Sequence, residues 1–122
     1  MTEALKPVDW VGSSYDDFRA FPGPVQEAMG FALYLAQSGG KHNSAKPLKG
    51  FTGAGGLEIV DDHDGDTYRA VYTVRFAEAV YVLHAFQKKS KKGIKTPQEE
   101  IDRIKRRLKA VEQARKDAGG AR

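Results

Sequence analysis

Three β-prone runs, at residues 57–61, 67–76 and 79–86, follow one another through linkers short enough for antiparallel hairpins. No other feature limits the fold so tightly. In the middle run Tyr68, Ala70, Tyr72, Val74 and Phe76 alternate with Thr67, Arg69, Val71, Thr73 and Arg75, so one face is apolar and the other carries two arginines and two hydroxyls. The third run is apolar on both faces, which predicts a central strand with helices on one side and a partly covered surface on the other. A chain of 122 residues has room for one such sheet and its cover, and the class expected is α+β in a single small domain.

Helices flank this block. Residues 8–11 form a short β-prone run, Ser13 and Ser14 offer an N-cap for a helix over 15–20, and Pro22, Gly23 and Pro24 interrupt. A second helix is predicted over 24–38, where Val25, Ala28, Met29, Ala32, Leu33 and Ala36 share one face and Gly39-Gly40 supplies the stop. Residues 41–56 read as a long glycine-rich loop whose apolar island is Pro47-Leu48-Lys49-Gly50-Phe51. Thr96-Pro97-Gln98-Glu99 then combines an N-cap threonine, proline at the first helical position and glutamate three residues after the cap. The helix it opens carries Ile101, Ile104, Leu108 and Val111 as an apolar stripe, Arg103, Arg106 and Lys109 opposite, and Lys105 and Arg107 at the flanks. Fraying is expected near Lys116, giving a domain over 1–116 and a disordered tail over 117–122.

The net charge of +4 conceals a polarity, because 1–85 hold 7 Lys/Arg against 11 Asp/Glu, whereas 86–122 hold 13 against 5. A basic C-terminal third suits a polyanion or an acidic protein surface, although a well-solvated helix with a basic tail has the same composition. Several classes lose support. Without cysteine there are no disulfides and no thiolate metal site, no apolar run reaches membrane length, and MTEALKPVDW has none of the features of a signal peptide, which argues against secretion. Asp62, Asp64 and Asp66 are spaced as in a calcium loop, but Thr67 and Thr73 stand where glycine and glutamate belong, and Asp64-Gly65 between two β runs reads as a hairpin turn. Residues 50–56 lack the Gly-Lys-Ser/Thr ending of a phosphate loop and precede a strand. His42, His63 and His84 have no zinc-hydrolase spacing, and no serine sits in a nucleophile elbow. No metal or cofactor is expected.

A convergence of basic groups remains. The end of the third run delivers Lys88, Lys89, Lys91 and Lys92, the middle run offers Arg69 and Arg75, and the preceding loop adds Lys49. Metal-free RNA cleavage needs a base for the 2′-hydroxyl proton, cations for the phosphorane and an acid for the departing 5′-oxygen. Arginine suits the middle task because its fixed fork holds two phosphate oxygens. Tyr68 and Tyr72 could stack a base or donate a proton, with Tyr72 on the core face. From spacing alone the lysine cluster reads first as a solubilising loop, and His84 reads first as a buried, hydrogen-bonded structural histidine, with the catalytic reading second in each case.

The segments Lys46-Pro47-Leu48-Lys49-Gly50-Phe51, Leu57-Glu58-Ile59, Asp66-Thr67-Tyr68-Arg69-Ala70-Val71-Tyr72, His84-Ala85-Phe86-Gln87-Lys88-Lys89-Ser90 and Lys95-Thr96-Pro97 occur in a telling order and spacing. Together they resemble the phage-derived, HigB-type branch of the RelE/ParE toxin superfamily, over residues 8–112. The resemblance implies an N-terminal strand and two helices packed on a twisted antiparallel sheet, with a C-terminal helix. It further implies a cytoplasmic toxin of a type II toxin-antitoxin pair, since RelE and HigB members cleave messenger RNA at the ribosomal A site. By position Arg69 matches the strand arginine that contacts the scissile phosphate, Lys88 and Lys89 match the basic residues after the last strand, and Lys49 matches the basic position of the Leu-basic-Gly segment. RelE toxins place lysines in the strand over 57–60 and a tyrosine near the C-terminus, where this chain has no tyrosine after Tyr81. His84 and Tyr68 are the candidate replacements for base and acid. Arg75, Lys91, Lys92, Arg103 and Arg106 would bind RNA. The partners implied are a helix-turn-helix antitoxin, the ribosome and its message, and no membrane. Two alternatives stay open: a non-catalytic inhibitor of DNA gyrase of the ParE kind, and a degraded phage-derived module that still folds.

Overall fold

The computed structural model describes residues 5–48, 56–88 and 97–120. The elements run β1 (Val8–Trp10), α1 (Ser14–Arg19), α2 (Gly23–Gln37), β2 (Lys46–Pro47), β3 (Gly56–His63), β4 (Asp66–Thr73), β5 (Val80–Lys88) and α3 (Gln98–Gly120). They build one sheet in the order β1-β5-β4-β3-β2. The block of three runs is its centre, with β3, β4 and β5 paired antiparallel as their short linkers demanded. The sheet is not antiparallel throughout, because β1 pairs with β5 in parallel. The chain returns to β5 only after both N-terminal helices, and a crossover of that kind sets strands parallel. Asp64 and Gly65 form the β3–β4 turn with φ of 51° and 83°, the left-handed pair that a two-residue hairpin of matching twist requires.

Both faces of the sheet are covered. On one, Val25, Met29, Ala32, Leu33 and Ala36 of α2 pack with Ile59, Tyr68, Ala70, Tyr72, Val80, Val82 and Ala85. On the other, Ile101, Ile104, Leu108 and Val111 of α3 cover Leu48, Val71, Phe76, Leu83 and Phe86. The expected partly covered surface is therefore a second core. Val71 and Thr73, read from the alternation as part of a polar face, are 0% exposed because α3 lies over them. Burying four aliphatic side chains at about 1.5–3 kcal/mol each is what holds a long, highly charged helix in place.

The remaining differences are local. Strand β4 stops at Thr73, whose Oγ1 accepts the Arg75 amide at 3.1 Å, so Arg75 and Phe76 fall outside the ladder. Ser13 stands at the start of α1, but its hydroxyl donates to Asp17 and caps no backbone amide, while the buried Ser14 donates to the Val82 carbonyl. Helix α3 continues past Lys116 to Gly120, so residues 117–120 are helical where a disordered tail was expected. Thr96, the expected N-cap of α3, lies outside the described residues. No helix among them is long and apolar enough to cross a membrane.

Candidate functional site

The α3-facing side of the central strands gathers the polar chemistry. Arg69 on β4 stands in register with Val60 on β3 and Phe86 on β5. Glu58 is opposite Val71, two positions along β4 from Arg69, so the two charged side chains are diagonal neighbours on one face. They meet: Arg69 NH1 donates to Glu58 Oε2 at 2.9 Å, with the arginine side chain 7% exposed and the carboxylate 16%. A guanidinium this buried needs a carboxylate, since an uncompensated charge would cost several kcal/mol.

A second network begins one strand away. The His84 ring stacks on Phe86, the cross-strand partner of Arg69, at 4.7 Å and 23°. Its Nε2 lies 2.6 Å from Glu100 Oε1 in the first turn of α3, and its Nδ1 lies 3.4 Å from Arg107 NH1. Arginine can only donate, so Nδ1 accepts and the ring proton sits on Nε2, directed at Glu100. Burial pushes the His84 pKa below its ordinary value, against the opposing pull of Glu100. The imidazole is thus neutral, and it positions a carboxylate that is itself partly exposed and 3.8 Å from Arg103.

Arg107 ties the network to the frame. The pairing of β4 with β5 slips at Val71/Tyr72, leaving Leu83 as an extra residue, and Arg107 NH1 donates to the Leu83 carbonyl at 2.9 Å. Its NH2 reaches Ser13 Oγ at 3.1 Å. The guanidinium passes over Gly12, which has φ +59°, so closely that a Cβ there would stand 2.8 Å from Arg107 Nε.

The predicted site residues divide accordingly. Arg69 and His84 share one face and one neighbourhood. Lys88 ends β5 opposite Thr67, at the Arg69 end of the strand, while Lys49, Lys89, Lys91 and Lys92 lie outside the described residues. Tyr68 is on the other face, 7% exposed in the α2 core and edge-on to Phe21 at 4.9 Å. Strand alternation, which put Tyr68 next to Arg69 in sequence, carries it away from Arg69 in space. Arg75, in the linker after β4, faces the far half of α3, where it pairs with Glu112 at 2.6 Å and lies over the Phe76 ring. Arg103 and Arg106 are exposed on α3, as the stripe predicted. Near Arg75, a groove of about 470 Å³ lined by Asp9, Val11, Tyr81, Ala110, Ala114 and Arg115 is apolar and remote from Arg69. On its rim Arg115 holds the Glu78 carboxyl down at about 2.

Sequence reasoning passed over Glu58, Glu100 and Arg107. Glu58 had a usable signal, because setting the alternation of 57–60 against that of 68–71 across the hairpin places it on the arginine's face. Glu100 and Arg107 had none, since their partners are distant in the chain.

Residues 16–109 match the family described as phage-derived protein Gp49-like. Among solved structures, the free-state E. coli toxin RelE, in a mutant with two arginines replaced by alanine, is similar with a TM-score of 0.51 and 19% identity. The match covers 67% of this chain and 82% of that one. No curated protein matches at a significant level. A parallel N-terminal strand, paired helices, an antiparallel centre and a covering C-terminal helix are thus the RelE fold, and the chain that adopts it belongs to the phage-derived Gp49-like family.

Proposed function

We propose that this protein is the toxin of a type II toxin-antitoxin pair, a metal-independent endoribonuclease that cuts messenger RNA on the translating ribosome. The observation that carries the reading is Arg69, a guanidinium set on a rigid central strand in a RelE fold and already holding an oxyanion, the Glu58 carboxylate, at 2.9 Å. The geometry that binds a carboxylate also suits a phosphodiester. Lys88 ends the neighbouring strand at the arginine's end of the sheet, and Lys89, Lys91 and Lys92 follow it in sequence. Such charge stabilises the phosphorane, where negative charge exceeds that of the ground state. The basic outer face of α3, with Arg103 and Arg106, offers an electrostatic surface to ribosomal RNA. The expected setting is the cytoplasm, and the expected neutralising partner a helix-turn-helix antitoxin.

One observation favours the non-catalytic alternative of the ParE kind: Arg69 is 6% exposed and occupied by a carboxylate. The two readings separate on expression of the chain alone. The nuclease reading expects growth arrest with messages cut inside translated codons, and Arg69→Ala should relieve it. Arrest with intact messages, or undiminished toxicity in the variant, overturns it in favour of the alternative.

A further inference from the structure

Independently of the nuclease reading, we propose that two copies of this chain pair through the solvent face of α2, antiparallel about a two-fold axis that passes between Phe31 and Tyr34. The make-up of the helix leads there. Helix α2 has one charged residue, Glu27, among its 15, whereas α3 has 12 among 23. A helix on the surface of a soluble domain ordinarily turns charge to water, and one that is uncharged nearly all round is ordinarily buried. One side of α2 is buried, through Val25, Met29, Ala32, Leu33 and Ala36. The other presents Phe31 and Tyr34, 54% and 49% exposed, the two most exposed large apolar side chains among the described residues. The His42 ring, edge-on to Phe31 at 5.7 Å, backs the phenyl from the loop after the helix. Neighbouring aromatic rings left in water on an uncharged helix mark a surface that a partner covers.

The spacing and charge of this face fit a second copy of itself. Glu27, Phe31, Tyr34 and Ser38 follow one another at steps of four, three and four, the steps that keep a line of side chains facing a neighbouring helix. A two-fold axis between Phe31 and Tyr34 sets each phenyl against the partner's Tyr34 and brings each Glu27 to the partner's Ser38. Lys6 is fastened at that end of the helix, its amide donating to the Gln37 carbonyl at 3.1 Å and its carbonyl accepting from Gln37 Nε2 at 2.6 Å. The face thus carries an anion near one end and a cation near the other. Antiparallel pairing sets each against its opposite, where parallel pairing would set Glu27 on Glu27 and Lys6 on Lys6. The line itself holds no cation for a phosphate backbone, which separates it from the basic face of α3.

The arrangement leaves the candidate site open. Helices α2 and α3 cover opposite faces of the sheet, so a pair joined through α2 turns both Arg69 sides and both basic helices outward. A helix of 15 residues is about 22 Å long, which places the contact among the small interfaces, below about 1,200 Å². Such a pair should come apart on dilution.

The test is sedimentation equilibrium of the purified full-length chain over a concentration series. The mean mass should rise from 13.4 kDa toward twice that value as concentration increases. Phe31→Glu, which puts a carboxylate against the partner's Tyr34, should weaken the association by at least about ten-fold. Glu27→Lys and Lys6→Glu, each bringing like charges together, should weaken it by roughly three- to ten-fold, and the double reversal should restore it. That rescue is a result that a merely adhesive surface would not give. Thermal unfolding shows that the comparison is made on folded protein, and should Phe31→Glu not fold, the charge reversals carry the test. A chain still monomeric at about 1 mM overturns the proposal, and if Phe31 and Tyr34 are then covered only by a different protein, the face belongs to that partner instead. Association unchanged by Phe31→Glu, or a double reversal that stays weak, overturns it as well. None of these outcomes bears on RNA cleavage, so this pairing and the nuclease reading stand or fall separately.

Discussion

Replacing Arg107 with alanine should destabilise the fold far more than loss of a surface charge would. The guanidinium donates to the Leu83 carbonyl at the β-bulge, to His84 Nδ1 and to Ser13 Oγ, so it joins α3 to β5 and to the turn before α1. Leaving a buried carbonyl without its charged donor costs about 1–3 kcal/mol, and loss of the packed stem adds about 1 kcal/mol. The expected total is about 2–4 kcal/mol, read as a lower urea midpoint with unchanged slope. A second substitution makes the reasoning sharper. Gly12→Ala alone combines about 1–2 kcal/mol of left-handed strain at φ +59° with a Cβ placed 2.8 Å from Arg107 Nε, which forces the guanidinium off its acceptors. In the Arg107→Ala background only the backbone strain remains. The double-mutant cycle should therefore show a coupling of at least about 1 kcal/mol, the pair costing less than the sum. Strict additivity, or a loss below about 0.5 kcal/mol for Arg107→Ala, would refute the bridging role.

Further outcomes follow from the same geometry. The Tyr72 hydroxyl is buried without a hydrogen-bond partner among the described residues, so Tyr72→Phe should raise stability by about 1 kcal/mol, seen as a Tm increase of roughly 4 °C. Ile104 on the inner face of α3 is 0% exposed, and Ile104→Ala should cost about 2–5 kcal/mol by denaturant titration. His84 binds its proton less readily folded than unfolded, so stability should be full above about pH 6.5 and decline as pH falls below the unfolded pKa. A His84→Gln variant should lose that part of the acid slope, and an unaltered slope would count against burial of a neutral ring.

Much of the architecture was legible because it rests on local periodicity. The alternation over 67–76, the stripe of α2 and the stripe opened near Pro97 each report one element and one buried face. What periodicity could not report was which elements meet. Val71 and Thr73 looked solvent-facing until α3 was laid across them, and β1 could not be seen to join β5 in parallel, since that pairing spans most of the chain. The site divides the same way. Arg69 was found from its motif, and Glu58 was within reach of a register argument, whereas the links from Glu100 and Arg107 to His84 depend on how α3 docks. Tyr68 was offered as a replacement acid or base although its own alternation put it on the apolar face, and it packs there in the α2 core, away from Arg69.

The central claim is that Arg69 holds the phosphate of a message being cut. Mapping RNA ends in a translating extract given the purified chain tests it most directly, with Arg69→Ala as the matched comparison. New ends inside translated codons, bearing 5′-hydroxyls and disappearing in the variant, are the result expected. Translation halted with no new ends, or the same ends produced by Arg69→Ala, would contradict it.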